Sequence, residues 1–393
     1  MRFRLGALGS VVAAVGALSS SCTETGVEPH PRGPVAADVQ ASSSGTLVVT
    51  GNTTLTGNHL GNIQIAADNI TLDCAGDTVF GPGVSGFSGG IEVDGRTGVT
   101  VTHCTVTGFN VNGVFGGGTS NSRFEANLIY GNTNNGIHLD LGTGNAIVGN
   151  TSRSNGGIGI ALTRSTQSRI EGNTTQGNTN TPGIALLNGS HDNVALGNTS
   201  SGNSIGFSLD DNATANEIRE NAANANSLYG FFTRGSSNNV FVANTALQNA
   251  IGFVLDNATG NQLRGNNVNL NRNQGIQLVR AANDNVLDSN TVNRNLIGIE
   301  ADDGTGSNTI RHNVANGNTL EGFKFFMSNS NTVTSNVGNT NGTFGFLVFG
   351  GSSFNSLTGN VGHANKSFDA LDDGLGSGNV WANNNFGTTA GIP

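Results

Sequence analysis

Carboxylates, a histidine and arginines recur at matching places along this chain. Glu92, Asp94, His138 and Asp140 form one set, with Arg164 close behind. Carboxylates beside an imidazole can move a proton or hold a cation. Glu92, His138 and Asp140 are therefore the candidate catalytic residues, and Asp94 and Arg164 the candidate substrate contacts. The competing explanation is local: Asp94-Gly95 and Asp140-Leu141-Gly142 read as turns opened by an aspartate bonding its own backbone. A second set is Asp210, Arg234 and Asp256. The two carboxylates are the candidate calcium ligands, and Arg234 a candidate substrate contact; an arginine that simply neutralises a column of acids explains the same residues. A third set is apolar. Phe232, Phe326, Leu347 and Phe349 are expected to face outward, where rings can stack on sugar faces. No cofactor other than calcium is indicated. The seven histidines are scattered and only two methionines occur, so no soft-ligand cluster assembles.

What positions these residues is a repeat. A glycine followed by a large apolar residue returns at Gly90, Gly113, Gly136, Gly159, Gly183, Gly206 and onward to Gly345, every 22 to 24 residues. Such a period marks a solenoid. Within each repeat apolar and polar residues alternate over three to five positions, which is strand period, and Gly, Asn, Asp, Ser and Thr separate the runs. The pattern predicts an all-β parallel β-helix of about 13–15 rungs, each with about three short strands, stacked at about 4.8 Å. Asparagine marks the register at Asn127, Asn150, Asn173 and their successors, and again five residues later at Asn132, Asn155 and Asn178. These are expected at tight corners, with amides bonding along the stack. Phe207, Phe231, Phe253, Phe323 and Phe346 follow marker glycines, and Leu139, Leu162, Leu186, Leu209, Leu255 and Leu278 form a second inward column.

The stretch from Thr71-Leu72-Asp73-Cys74 through Gly90-Ile91-Glu92-Val93 to Val101-Thr102-His103-Cys104-Thr105-Val106 resembles the opening of bacterial right-handed parallel β-helix repeat proteins. These belong to the pectin-lyase-like superfamily and include NosD-like periplasmic proteins. The resemblance spans residues 46–387 and implies a right-handed helix. It also implies polysaccharide as the ligand class, because superfamily members that act on polysaccharide use a groove on an outer sheet. The polygalacturonase-type and alginate-epimerase-type catalytic signatures are missing from this chain.

The remaining signals concern export. Arg2 and Arg4 precede an apolar stretch from Leu5 to Leu18, then Ser19-Ser20-Ser21-Cys22, which reads as a signal peptide over 1–21. Cys22 is the candidate lipidation site, which would make the protein an outer-membrane or periplasmic lipoprotein; plain secretion is the alternative. Residues 22–45, with Pro29, Pro31 and Pro34, read as a flexible tether, 46–387 as the β-helix and 388–393 as a tail. Cys74 and Cys104 occupy the asparagine place in adjacent rungs, near enough for a disulfide; buried free thiols are the other reading. A net charge of −9 and the lack of any basic run argue against nucleic acid. A monomer is expected, touching membrane only through a lipid anchor. The function expected from all this is an exported scaffold that binds polysaccharide or another cell-envelope partner along an outer sheet without catalysis. The alternative is a polysaccharide lyase, epimerase or hydrolase.

Overall fold

The computed structural model describes residues 43–81, 87–178 and 180–392. The expected signal peptide, Cys22 and the tether up to residue 42 lie outside the described residues. Coils up to Ala222–Asn224 visit three sheets in turn, as in Ile137–Asp140, Ala146–Val148 and Thr151–Arg153; most coils after it, instead of the three strands expected, keep two and cross the third side through single bridges such as Thr245 to Asn267. Stacked coils give parallel sheets of 16, 15 and 9 strands, called here the long, back and short sheets, and a two-stranded remnant. The described residues form a right-handed parallel β-helix without α-helix. Register is direct: Ile137, His138, Leu139 and Asp140 pair with Ile160, Ala161, Leu162 and Thr163. The long sheet runs to 16 strands because short opening coils precede the regular ones; Ser43 reaches its equivalent, His59, after 16 residues.

The solenoid starts and ends slightly outside the span that composition suggests. Ser43–Ser44 already pairs with His59–Leu60, and Thr389–Ala390 is the last strand of the long sheet, paired with Ala370–Leu371. Near that end Trp381 Nε1 donates to Asp372 Oδ2 at 3.1 Å, and Phe386 packs on Phe346 with centroids 5.4 Å apart.

The interior holds the expected ladders. Phe207, Phe231 and Phe253 stack at 5.0 and 4.4 Å, and Phe323 on Phe346 at 4.6 Å, all fully buried or nearly so. The asparagines bond along the stack as expected, but they do not themselves take the left-handed backbone. Asn150 N and Nδ2 both donate to Asn173 Oδ1, at 2.8 and 3.0 Å, while Nδ2 also reaches the Phe124 carbonyl at 2.8 Å. The left-handed backbone falls on the residue before each ladder asparagine: Gly149 has φ 62°, but Ala126, Glu220 and Ala243 hold φ 53°, 57° and 53° at equivalent places. Amide bonding to the chain on both sides offsets the cost of left-handed φ at these non-glycine residues. A third ladder, Asn193, Asn216, Asn239 and Asn261, runs along another corner. The marker glycine recurs because coils approach closely there. A Cβ on Gly206 would lie 2.5 Å from the Gly230 carbonyl oxygen and 3.0 Å from Asn226 Nδ2.

Cys74 and Cys104 close the first asparagine ladder at its N-terminal end. They are disulfide-bonded with Cα atoms 4.7 Å apart, and Cys104 N donates to Asn127 Oδ1 at 2.9 Å.

Candidate functional site

The long sheet turns three columns of side chains away from the core: the residue before the marker glycine, and the second and fourth after it. Outward does not mean exposed. Coils stacked one strand spacing apart let long side chains close over their neighbours. Ala161, Ala185, Ser208, Val254 and Glu300 in the second column are all buried.

At the N-terminal end, Phe115 lies between Glu92 and His138 in register, so these two do not meet. Glu92 is buried and accepts from Ser88 N and from Gly89 N at 3.2 Å, with Gln64 Nε2 at 3.5 Å. Asp94 Oδ1 accepts from Gly117 N at 2.8 Å. His138 packs edge-on against Phe115, centroids 5.4 Å apart, with Nε2 at 3.1 Å from Thr163 Oγ1. Burial lowers the His138 pKa below the ordinary imidazole value; the Asp140 carboxylate opposes this and the Arg164 guanidinium adds to it. Asp140 is held by Arg164 in a two-pronged ion pair, with Arg164 Nε to Oδ1 at 2.9 Å.

In the middle, the register sets Arg234 between Asp210 and Asp256, and the ion pairs then divide. Arg234 takes Asp210, Nε to Oδ1 at 2.9 Å, while Asp256 is taken by Arg280, Nε to Oδ1 at 2.5 Å. Arg280 follows the sheet strand and belongs to none of the sequence columns, which is why periodicity did not mark it. Each carboxylate is thus charge-balanced by its own guanidinium. Phe232 stacks on Tyr229 at 5.1 Å, with the Arg234 guanidinium 5.8 Å above its ring.

Toward the C-terminal end the structure assembles a cluster that the sequence did not single out. Glu300 is buried, yet it accepts from Lys324 Nζ at 2.6 Å, Gln274 Nε2 at 2.6 Å and Gln277 Nε2 at 3.3 Å. On one side stands Asp302, whose pKa is raised by burial and then by the Glu300 charge. On the other stands Glu321, raised by burial, although Thr343 Oγ1 donates to it at 3.0 Å and Lys324 attracts its charge. Lys324 Nζ also lies 5.6 Å from the Phe349 ring centre. Phe326 and Phe349 stack beside it, centroids 4.7 Å apart and planes tilted by 38°, both partly exposed. The available signal was register: Glu300 and Lys324 are second-column residues one coil apart, and opposite charges in one column of a parallel sheet must meet.

Comparison with known proteins follows the fold. A family model described as "Right handed beta helix region" matches residues 195–337. Another, described as "Periplasmic copper-binding protein (NosD)", matches residues 35–204. No curated protein matches the sequence. Among solved structures, the Azotobacter vinelandii mannuronan C-5 epimerase AlgE4 A-module is 15% identical with TM-score 0.46, covering 75% of this chain and 86% of that one. A mutant of the periplasmic alginate epimerase AlgG gives 15% and 0.44, covering 88% and 79%. The catalytic domain of a GH87 alpha-1,3-glucanase with nigerose gives 15% and 0.39, covering 67% and 60%. Copper would need imidazole or sulfur ligands gathered at one place. Instead His103 sits on Asp73 at 3.2 Å, His191 on Asp192 at 2.8 Å and His312 on Asp288 at 3.1 Å, each in a separate part of the helix. Among the described residues no group of three or more His, Cys, Asp or Glu could hold a metal ion, so the described residues do not fit a copper centre.

Proposed function

The chain is a right-handed parallel β-helix repeat protein, NosD-like over its N-terminal half, and on that footing we propose that it is an exported scaffold that binds polysaccharide along the outer face of the long sheet. One observation carries this reading: the partly exposed Phe326–Phe349 stack adjoins the Glu300–Lys324 pair and its two glutamines on one regular surface. Rings offer apolar sugar faces a platform, and charged and amide groups beside them hydrogen-bond hydroxyls. A rigid sheet presents both at no ordering cost on binding. The basic, then apolar N-terminal segment ending at Cys22 supports export, with lipidation of Cys22 as the anchor.

Binding without turnover also accounts for the carboxyls. Asp302 and Glu321 are the two carboxyls whose pKa burial raises. They occupy opposite ends of neighbouring strands, and five residues of strand separate their columns by roughly 15 Å. Paired glycosidase carboxyls stand about 5 to 9.5 Å apart. The Glu300–Lys324 pair fills the space between.

The test is titration calorimetry against a panel of uronic-acid and neutral polysaccharides, with Phe326→Ala/Phe349→Ala as the variant. Loss of the rings is expected to weaken binding about tenfold or more. Unchanged affinity in that variant overturns the assignment of the face. New unsaturated or reducing ends in the same panel, lost in Asp302→Asn or Glu321→Gln, would replace the scaffold with an enzyme.

A further inference from the structure

One arginine breaks the repeat. The residue just before the bridge position Thr97, Ser120, Thr143, Thr166, His191 and Thr214 is small in coil after coil: Thr119, Gly142, Ser165, Ser190 and Ala213. In the first coil of that run it is Arg96. Among the described residues Arg96 forms no ion pair and no side-chain hydrogen bond, and its Nε is shut off from solvent without a partner. Arg96 as a whole is half-buried, and the acids beside it form no ion pair with it, so its charge is left without a counter-ion. Arg96 lines a cavity of about 190 Å³ together with Gln64, Glu92 and Asp94. Glu92 is already occupied by Ser88 N, Gly89 N and Gln64, and Asp94 uses only Oδ1, toward Gly117 N.

We propose that this cavity is a binding site for one hydroxylated monocarboxylate, with the two terminal nitrogens of Arg96 on the ligand carboxylate and the free oxygen of Asp94 accepting from a ligand hydroxyl. The planar guanidinium matches a carboxylate with two parallel bonds. Phosphate suits the place less well, because its second negative charge adds to the repulsion from Glu92 and Asp94 that a monocarboxylate meets with one. The volume accommodates about one sugar-sized unit, well below the span of a long ligand. The ligand is either the acidic end residue of a glycan or a free hydroxy acid; both present the same groups. This site lies at the opposite end of the long sheet from Phe326 and Phe349 and does not depend on the proposed role of that face.

The experiment is calorimetry with D-glucuronate, D-glucose and a glucuronate-ended trisaccharide on the wild-type protein, Arg96→Ser and Phe326→Ala/Phe349→Ala. Arg96→Ser installs the residue type that later coils use, and an unchanged melting temperature confirms its fold. Glucuronate is expected to bind wild type and the double phenylalanine variant equally, glucose not at all, and Arg96→Ser at least tenfold more weakly. A tighter trisaccharide identifies a glycan end, and equal affinity a free acid. The proposal fails if wild type shows no glucuronate binding up to about 10 mM, or if Arg96→Ser binds it as well as wild type.

Discussion

Single residues on the long sheet are governed by what burial does to their charge. Glu300 is the clearest case, with only 3% of its side chain exposed and Lys324 as its counter-ion. Lys324→Met leaves that carboxylate with two glutamine donors and no cation. It is expected to cost roughly 2–4 kcal/mol of stability in urea unfolding at neutral pH. Adding Glu300→Gln to it should recover most of the loss, because the uncompensated charge is then gone. Glu321 behaves oppositely. Its folded pKa is raised above its ordinary 4.5, so the folded state binds its proton more tightly than the unfolded chain does. The resulting stability is present below the unfolded value and is lost as pH rises through the folded one. Glu321→Gln is therefore expected to be more stable than the parent at pH 7, and the two should converge on acidification below 4.5. A pH series of urea midpoints measures this; a gain that persists in acid would mean the carboxyl is not what strains the site.

At the scale of the element, the ladders dominate. Asn221 accepts from Asn198 N and Nδ2, both at 2.9 Å, and donates to the Ala195 carbonyl at 2.9 Å and Asn244 Oδ1 at 3.0 Å. All of these groups are buried, so Asn221→Ala strands several of them at once and should cost about 3–5 kcal/mol. Asn384, at the end of the same ladder, accepts from Asn360 N at 2.8 Å but is partly solvated. Water can replace its bonds, and Asn384→Ala should cost about 1 kcal/mol or less. Equal losses at the two sites would show that the ladder does not act through buried amides. Much of this element was legible beforehand, since Asn150 and Asn173 announce themselves by spacing. The third ladder was not, because Ser122 and Ser168 hold its place in early coils and break the run of asparagines.

For the whole molecule, the governing fact is that each coil touches mainly its neighbours, with the Arg272 Nη2 bond to the Ser227 carbonyl at 2.8 Å reaching one coil further, so stability is nearly a sum along the axis. The Cys74–Cys104 disulfide joins coils near one end across a separation of 30 residues. Replacing both cysteines with alanine is expected to cost about 3 kcal/mol. The loss should be local: amide exchange quickens in residues 43–110 and stays unchanged near the Phe323–Phe346 stack. Faster exchange throughout would mean the helix unfolds as one unit. The outer face follows the same one-dimensional logic. A ligand lying along it would cross many coils, which suits an extended polymer better than a compact solute.

The fold was written in the text because a solenoid turns sequence period directly into stacking; a glycine every 22 to 24 residues fixes which residues lie over one another. Inward phenylalanines and ladder asparagines needed nothing more. The partners on the outer face did not follow from period alone. Which acid Arg234 or Arg280 takes depends on side-chain reach across one coil spacing, and Glu300 became buried only because Gln274, Gln277 and Lys324 close over it. Arg96 likewise carries no mark in the sequence; the register sets it in a column of small residues, and packing leaves its Nε without a partner among the described residues. Pattern determines where a residue stands in the stack, whereas packing of flexible side chains, each choosing among rotamers, determines what it touches.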